Sequence, residues 1–128
     1  MAQHDGVRVA IKRAYEAPAP IDGTRVLVDR LWPRGLSKAR VCVDLWLKDV
    51  APSTPLRQWY GHDPAKFAAF RARYLHELEA EPGRAALGQL RELAHEGPVT
   101  LVFGARDVEH SEAAVLQDLL THPAPVAP

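Results

Sequence analysis

Cysteine is almost absent from this chain, Cys42 being the only one. That excludes an intramolecular disulfide and any zinc site built on several thiolates. Net charge is absent as well, since sixteen Lys and Arg balance sixteen Asp and Glu. Phosphate neutralisation therefore supplies no general driving force, and nucleic acid is not an expected partner. No apolar run approaches the ~20 residues needed to cross a bilayer, and Met1 to Gly6 lack the charged-then-apolar order of a signal peptide. These absences lead to the expectation of a cytoplasmic protein without membrane contact, and they leave the oligomeric state open.

What is present fits one folded unit. The 128 residues are 47% apolar and 25% charged, which suits a globular domain and leaves no room for two ordinary ones. A single α/β domain is expected over residues 1–122, with 123–128 a flexible Pro/Ala-rich tail. There is no internal repeat.

Along residues 7–15, Val7, Val9 and Ile11 alternate with Arg8, Ala10 and Lys12, which is strand periodicity. Pro18, Pro20 and Asp22-Gly23 break the chain before Thr24–Asp29, a β-branched run suited to a sheet covered on both faces. Arg30–Arg40 reads as a loop because of Pro33 and Gly35. From Val41 the odd positions 41, 43, 45 and 47 are apolar, which favours a strand over 41–49, with a helix starting near Ser37 as the rival. Ser53 can cap a short helix through Tyr60. Asp63-Pro64 starts another, on which Phe67, Phe70, Tyr74 and Leu78 recur at helical spacing. A third helix runs from Arg84 to His95 with Gly97 as its stop. Val99–Phe103 is a buried strand, Gly104–His110 a polar loop, and a final helix is capped near Ser111.

Strands interleaved with helices predict an α/β fold, a small layered sandwich with a mostly parallel central sheet flanked by helices. The long helical crossover between Thr24–Asp29 and Val99–Phe103 makes those strands parallel neighbours. Their C-terminal ends then share an edge, where open α/β sheets bind ligands. Asp29, Arg30, Trp32 and Arg34 leave one strand; Arg106, Asp107, His110 and Ser111 follow the other. Arg30, Arg34 and Arg106 can each offer a planar fork of donors to a carboxylate or phosphate. Helix N–H groups near Ser111 would add to an anion site. Asp29 and His110 are the candidates for proton transfer. Trp32, beside two arginines, could stack on a ligand ring, and Asp107 and Ser111 complete the ligand-binding set.

The chain also resembles the YeaO-like branch of a bacterial family, domain of unknown function 488. The resemblance is carried by Ile11 to Glu16, Asp22-Gly23, Arg25 to Gly35, Ser37-Lys38, Asp44, Trp46 to Lys48, Ala51 to Ser53, Leu56-Arg57, Trp59, His62 to Pro64, Phe70, Tyr74 and Glu77-Leu78. It implies an α/β sandwich and supplies no activity. Phe103, Gly104, Arg106 and Ser111 depart from the family's usual Tyr, Ala, Lys and Asn, and Phe103 puts in doubt any mechanism needing a tyrosine hydroxyl there. A more distant branch implies that strand 7–15 runs parallel to strand 24–29. The short connection over 16–23 favours an antiparallel hairpin instead.

Plainer readings stand beside these. Asp29-Arg30 reads equally as a structural ion pair, and the three tryptophans as packing anchors. His62 reads as part of a helix start, Cys42 as a core residue, and the run from Arg71 to Glu79 as a solvated face. Asp107, Glu109, His110 and Glu112 resemble a metal cluster only in composition, and neither a metal nor a cofactor is expected. The expected function is a crevice for a small anionic ligand, phosphate-bearing in the leading case, with or without a reaction. The alternative is a non-catalytic module that senses a metabolite or contacts a protein or RNA.

Overall fold

The structure, a computed structural model, describes residues 7–122; the expected tail over 123–128 lies outside them. Four strands, β1 (Val9–Arg13), β2 (Thr24–Leu27), β3 (Leu45–Trp46) and β4 (Val99–Phe103), form one sheet in the order β1-β4-β2-β3. Every neighbouring pair is parallel. The helices are α1 (Lys38–Val41), α2 (Thr54–Tyr60), α3 (Phe67–Glu77), α4 (Gly83–Glu96) and α5 (Glu112–Thr121). The expected small α/β sandwich is the fold observed.

Sheet alternation sorts the core into two unequal parts. Val9, Val26, Val28, Val99, Leu101 and Phe103 face the helices and join Leu56, Phe70, Tyr74, Leu90 and Leu116 in the main cluster. The opposite face carries Ala14, Leu27 and Val102, covered by Val41, Trp32, Leu36, Val43 and Trp46. Trp32 and Trp46 meet edge to face with centroids 5.3 Å apart, so both are packing anchors.

A polar knot secures that thinner face. The buried Arg25 guanidinium donates to Asp22 at 2.6 Å and to the carbonyls of Val41 (2.6 Å) and Cys42 (2.9 Å). Lys12 reaches the same carboxylate at 3.1 Å, and Thr100 Oγ1 donates to the Asp22 carbonyl. Burial alone would lift the Asp22 pKa, but the Ala19 N–H, Lys12 and Arg25 hold it below the ordinary carboxylate range. Gly23 follows with φ +65°, and a Cβ there would stand 2.3 Å from the Pro98 carbonyl oxygen, so the turn admits only glycine.

Three expectations need correction. β1 and β2 do not form an antiparallel hairpin: they are parallel, with β4 between them. The ten residues 14–23 return through a turn, a short extended stretch and a single 3-10 turn at Pro20–Asp22, and at up to ~3.3 Å per residue such a segment can descend a short strand and pass a neighbour. Over 41–49 the strand and helix readings are each right locally. Ser37 caps α1 by accepting the Arg40 N–H, and only Leu45–Trp46 pairs with β2. Cys42 is exposed, not core, in a left-handed conformation (φ 52°) that ends α1.

Glu77 also turns inward, where its carboxylate accepts from Ser53 N–H (2.9 Å) and Ser53 Oγ (2.5 Å). That contact ties α3 to the start of α2, so the Arg71–Glu79 run is only partly a solvated face.

Removing Asp22 would leave Arg25 buried without a carboxylate. Asp22→Ala should therefore destabilise the domain by about 3–5 kcal/mol in urea unfolding. A loss below about 1 kcal/mol, the scale of a surface pair, would contradict this account of the thin face.

Candidate functional site

β2 and β4 end side by side, and the second side chain beyond β2, Asp29, joins them. Val28 N–H still donates to the Val102 carbonyl at 3.0 Å. Asp29 Oδ2 then accepts the Gly104 N–H at 2.8 Å. A Cβ on Gly104 would stand 3.3 Å from that oxygen, so glycine here allows a close approach.

Beside this junction lies a crevice of about 490 Å³. Arg57, Gln58 and Tyr60 come to it from α2, followed by His62. His110, Ser111 and Glu112 come from the start of α5, and Leu31, Pro52, Phe70 and Ala105 supply apolar surface. Ser53 fixes the phase of α2 by accepting the Leu56 N–H. Arg57 and Tyr60, three residues apart, then share a face of the helix. Tyr60 stacks on Phe70 with centroids 4.2 Å apart and donates its hydroxyl proton to the His110 carbonyl at 2.7 Å. Burial, with Asp107 and Asp63 nearby, raises the Tyr60 pKa, so the phenol stays a donor.

The floor of the crevice is acidic. Glu112 Oε2 is buried, with no hydrogen-bond partner in the protein among the described residues, and the Glu112 and Asp29 carboxyls are close enough to shift one another's ionisation. Two carboxyls this close, away from water, cannot both ionise cheaply, so one of them keeps a proton. Burial pushes Glu112 well above its ordinary value of 4.5, and the Asp29 charge adds to the rise against the opposing pull of Arg57 and Arg30. Asp29 is raised by burial too, opposed by the Gly104 N–H and Arg57. Because Asp29 has the backbone donor, Glu112 keeps the proton.

Arg57 is half-buried on the wall above this pair. Among the described residues no carboxylate makes an ion pair with its guanidinium. Opposite, His110 Nδ1 lies 2.8 Å from Asp107 Oδ2. The ring stands edge-on to Phe67 at 5.1 Å. No group of three or more metal-ligating side chains forms among the described residues.

The residues expected at this edge divide sharply. His110 and Ser111 line the crevice, Asp29 lies under it against Glu112, and Asp107 stands behind His110. Ser111 Oγ is committed: it accepts the Ala114 N–H as the cap of α5 and donates to the Val108 carbonyl. The three arginines expected to clamp a ligand do not line the crevice. Arg30 donates to the carbonyls of Ala51 (3.1 Å) and Pro52 (3.4 Å), bracing the crevice wall. Arg34 and Arg106 are exposed. Trp32 packs on the other face of the sheet and donates Nε1–H to the Leu36 carbonyl.

Sequence reasoning missed Arg57, Tyr60, His62 and Glu112 as site residues. Arg57 and Tyr60 carried a usable signal, their spacing on a helix whose cap was legible. Glu112 carried none, because an acidic residue in a first helical turn already has an ordinary explanation in the helix dipole.

The Glu112 proton makes a prediction about stability. A carboxyl whose folded-state pKa is raised stabilises the fold fully below its unfolded value of 4.5. That contribution is lost as pH rises through the folded value. Glu112→Gln, which keeps a donor for Asp29 and cannot ionise, should therefore gain stability over the parent as pH rises from 4 to 8. Each tenfold difference in proton affinity between folded and unfolded states amounts to about 1.4 kcal/mol. Urea unfolding at the two ends of that range measures the gain, and a pH-independent difference would contradict the retained proton.

Comparison with known proteins identifies the family. A family model described as the inactive DUF488-N3 subclade matches residues 8–125. Uncharacterised proteins of Mycobacterium tuberculosis and Mycobacterium bovis are 50% identical over 113 residues, covering 88% of this chain and 93% of theirs. The uncharacterised protein YeaO of Escherichia coli is 37% identical over 114 residues, covering 89% of this chain and 97% of its own. No solved structure matches the chain. With β2, its Asp29-Arg30 end and nearly all the described residues inside the matched span, the chain belongs to the YeaO-like branch of the domain-of-unknown-function 488 family.

Proposed function

We propose that the crevice binds a small anionic molecule, phosphate- or carboxylate-bearing, with Arg57 as its cation. The observation that carries this reading is the half-buried Arg57 guanidinium, which lines an open cavity without an ion-pair partner among the described residues. A guanidinium kept out of bulk water stands to gain from a planar oxyanion that accepts two of its N–H groups. The proton kept by the pair of Asp29 and Glu112 leaves one negative charge below it rather than two, which limits repulsion of the ligand. The start of α5 adds a partial positive charge at the same wall.

Binding without turnover is the form of the reading we favour, and the word "inactive" in the family description supports it. A second reading, proton transfer by Glu112 and His110, is favoured by one observation. A buried protonated carboxyl and an imidazole paired with a carboxylate line the same cavity, as acid–base chemistry requires. The balanced charge of the whole chain supports small molecules over nucleic acid as partners. The single, exposed thiol is suited to a reducing cytoplasm.

A thermal-shift panel of inorganic phosphate, citrate and phosphorylated metabolites tests the proposal. At ~100 times the dissociation constant a ligand stabilises by ~2.7 kcal/mol, which for a domain of this size is a rise on the order of 10 °C. Arg57→Ala should abolish the rise, whereas Arg34→Ala and Arg106→Ala should keep it. A rise that survives Arg57→Ala would place the anion elsewhere. Conversion of a bound compound, lost in His110→Ala while binding persists, would establish the second reading.

A further inference from the structure

We infer that the ligand of this crevice carries a hydroxyl group as well as its anion, and that the hydroxyl donates to Nε2 of His110. The inference rests on the anion-binding reading and names the ligand class more narrowly.

Its basis is how firmly one imidazole is held. Asp107 engages two of the polar groups of His110: Oδ2 lies 2.8 Å from ring Nδ1, and Oδ1 accepts the backbone N–H at 3.3 Å. The His110 carbonyl is fixed in turn by the Tyr60 hydroxyl at 2.7 Å. Phe67 stands edge-on to the ring, so its plane is set as well as its position. Immediately afterwards Ser111 caps α5, which leaves the turn little freedom to rearrange.

This arrangement dictates where the ring's proton sits. A carboxylate can only accept, so the nitrogen facing Asp107 must be the one that carries hydrogen. In the neutral ring Nε2 is then a bare lone pair, the reverse of the tautomer that a free histidine side chain prefers. His110 lines the crevice, and with Nδ1 turned to Asp107, Nε2 is the nitrogen left for it. No donor to Nε2 exists among the described residues. A ligand consisting of an anion alone would satisfy Arg57 and leave this acceptor to water. A hydroxylated anion, such as a hydroxy acid or a polyol phosphate, would satisfy both. Asp107 is on this account a positioning residue: it acts on the ligand only through the tautomer it imposes.

Two measurements on the full chain decide the matter. Long-range 1H–15N correlation spectra of the 15N-labelled protein at pH 8 read the tautomer without any ligand. His110 should appear as the neutral Nδ1–H form and revert to Nε2–H in Asp107→Ala. An Nε2–H ring in the parent protein, or a doubly protonated one at that pH, would overturn the inference.

Calorimetric titration with matched pairs, glycerol 3-phosphate against propyl phosphate and lactate against propionate, reads the hydroxyl. The hydroxylated member should bind at least tenfold more tightly. That advantage, read as the ratio of affinities within each pair, should vanish in Asp107→Ala and His110→Phe. Equal affinities within both pairs, all lost in Arg57→Ala, would overturn the hydroxyl and leave the anion site standing. No binding by any of the four compounds would overturn the anion site and this inference with it.

Discussion

The architecture of the site depends on one hydrogen bond, that from the Gly104 amide to the Asp29 carboxylate at 2.8 Å. Parallel pairing of β2 with β4 already sends both strand ends to one edge, but it does not determine what the chain does next. By accepting from the first amide beyond β4, Asp29 holds the two exits together. The loop that starts at Gly104 carries Asp107 and His110 and delivers the start of α5 to the crevice. The same carboxylate is the neighbour that keeps the Glu112 proton in place. A strand-end interaction that looks structural is therefore also what sets the charge of the crevice floor.

The two faces of the sheet are held by different physics. Helices α2 to α5 bury the large apolar cluster on one side, where hydrophobic area supplies most of the driving force. The other side has only the loop around Trp32 to Val43 and the short helix α1. A thin apolar layer gives little, and there the chain relies on Arg25, which gathers Asp22 and the carbonyls closing α1. The cation-rich stretch Arg30–Arg40 belongs largely to this outer layer, so two of its conspicuous charges, Arg34 and Arg40, face solvent and not the crevice.

Much of the fold was legible because local signals agreed with one another. Ser53, Asp63 and Ser111 cap where capping chemistry says they should, and the run Val99–Phe103, apolar except for Thr100, is buried throughout. The illegible parts are those decided by distant contacts. The short connection over 16–23 suggested a hairpin because sequence could not reveal that β4, some eighty residues later in the chain, would fill the space between its two strands. The site divides in the same way. Asp29 and His110 were readable from the rule that parallel strand ends carry function. Arg30 and Arg57, both single arginines near chain breaks, were not distinguishable until contacts showed one bracing backbone carbonyls and the other without an ion-pair partner among the described residues. Glu112 was hidden by the ordinary role acidic residues play in first helical turns.

The central claim is that a single proton, held by Glu112 against Asp29, sets the charge of the crevice that Arg57 overlooks. The most direct measurement is the pH titration of the Glu112 side-chain carboxyl by 13C NMR in the uniformly labelled protein. The account predicts a carboxyl resonance that stays in its protonated position well above the range in which the exposed glutamates ionise. A Glu112 that titrates together with them, near its ordinary value of 4.5, would contradict it.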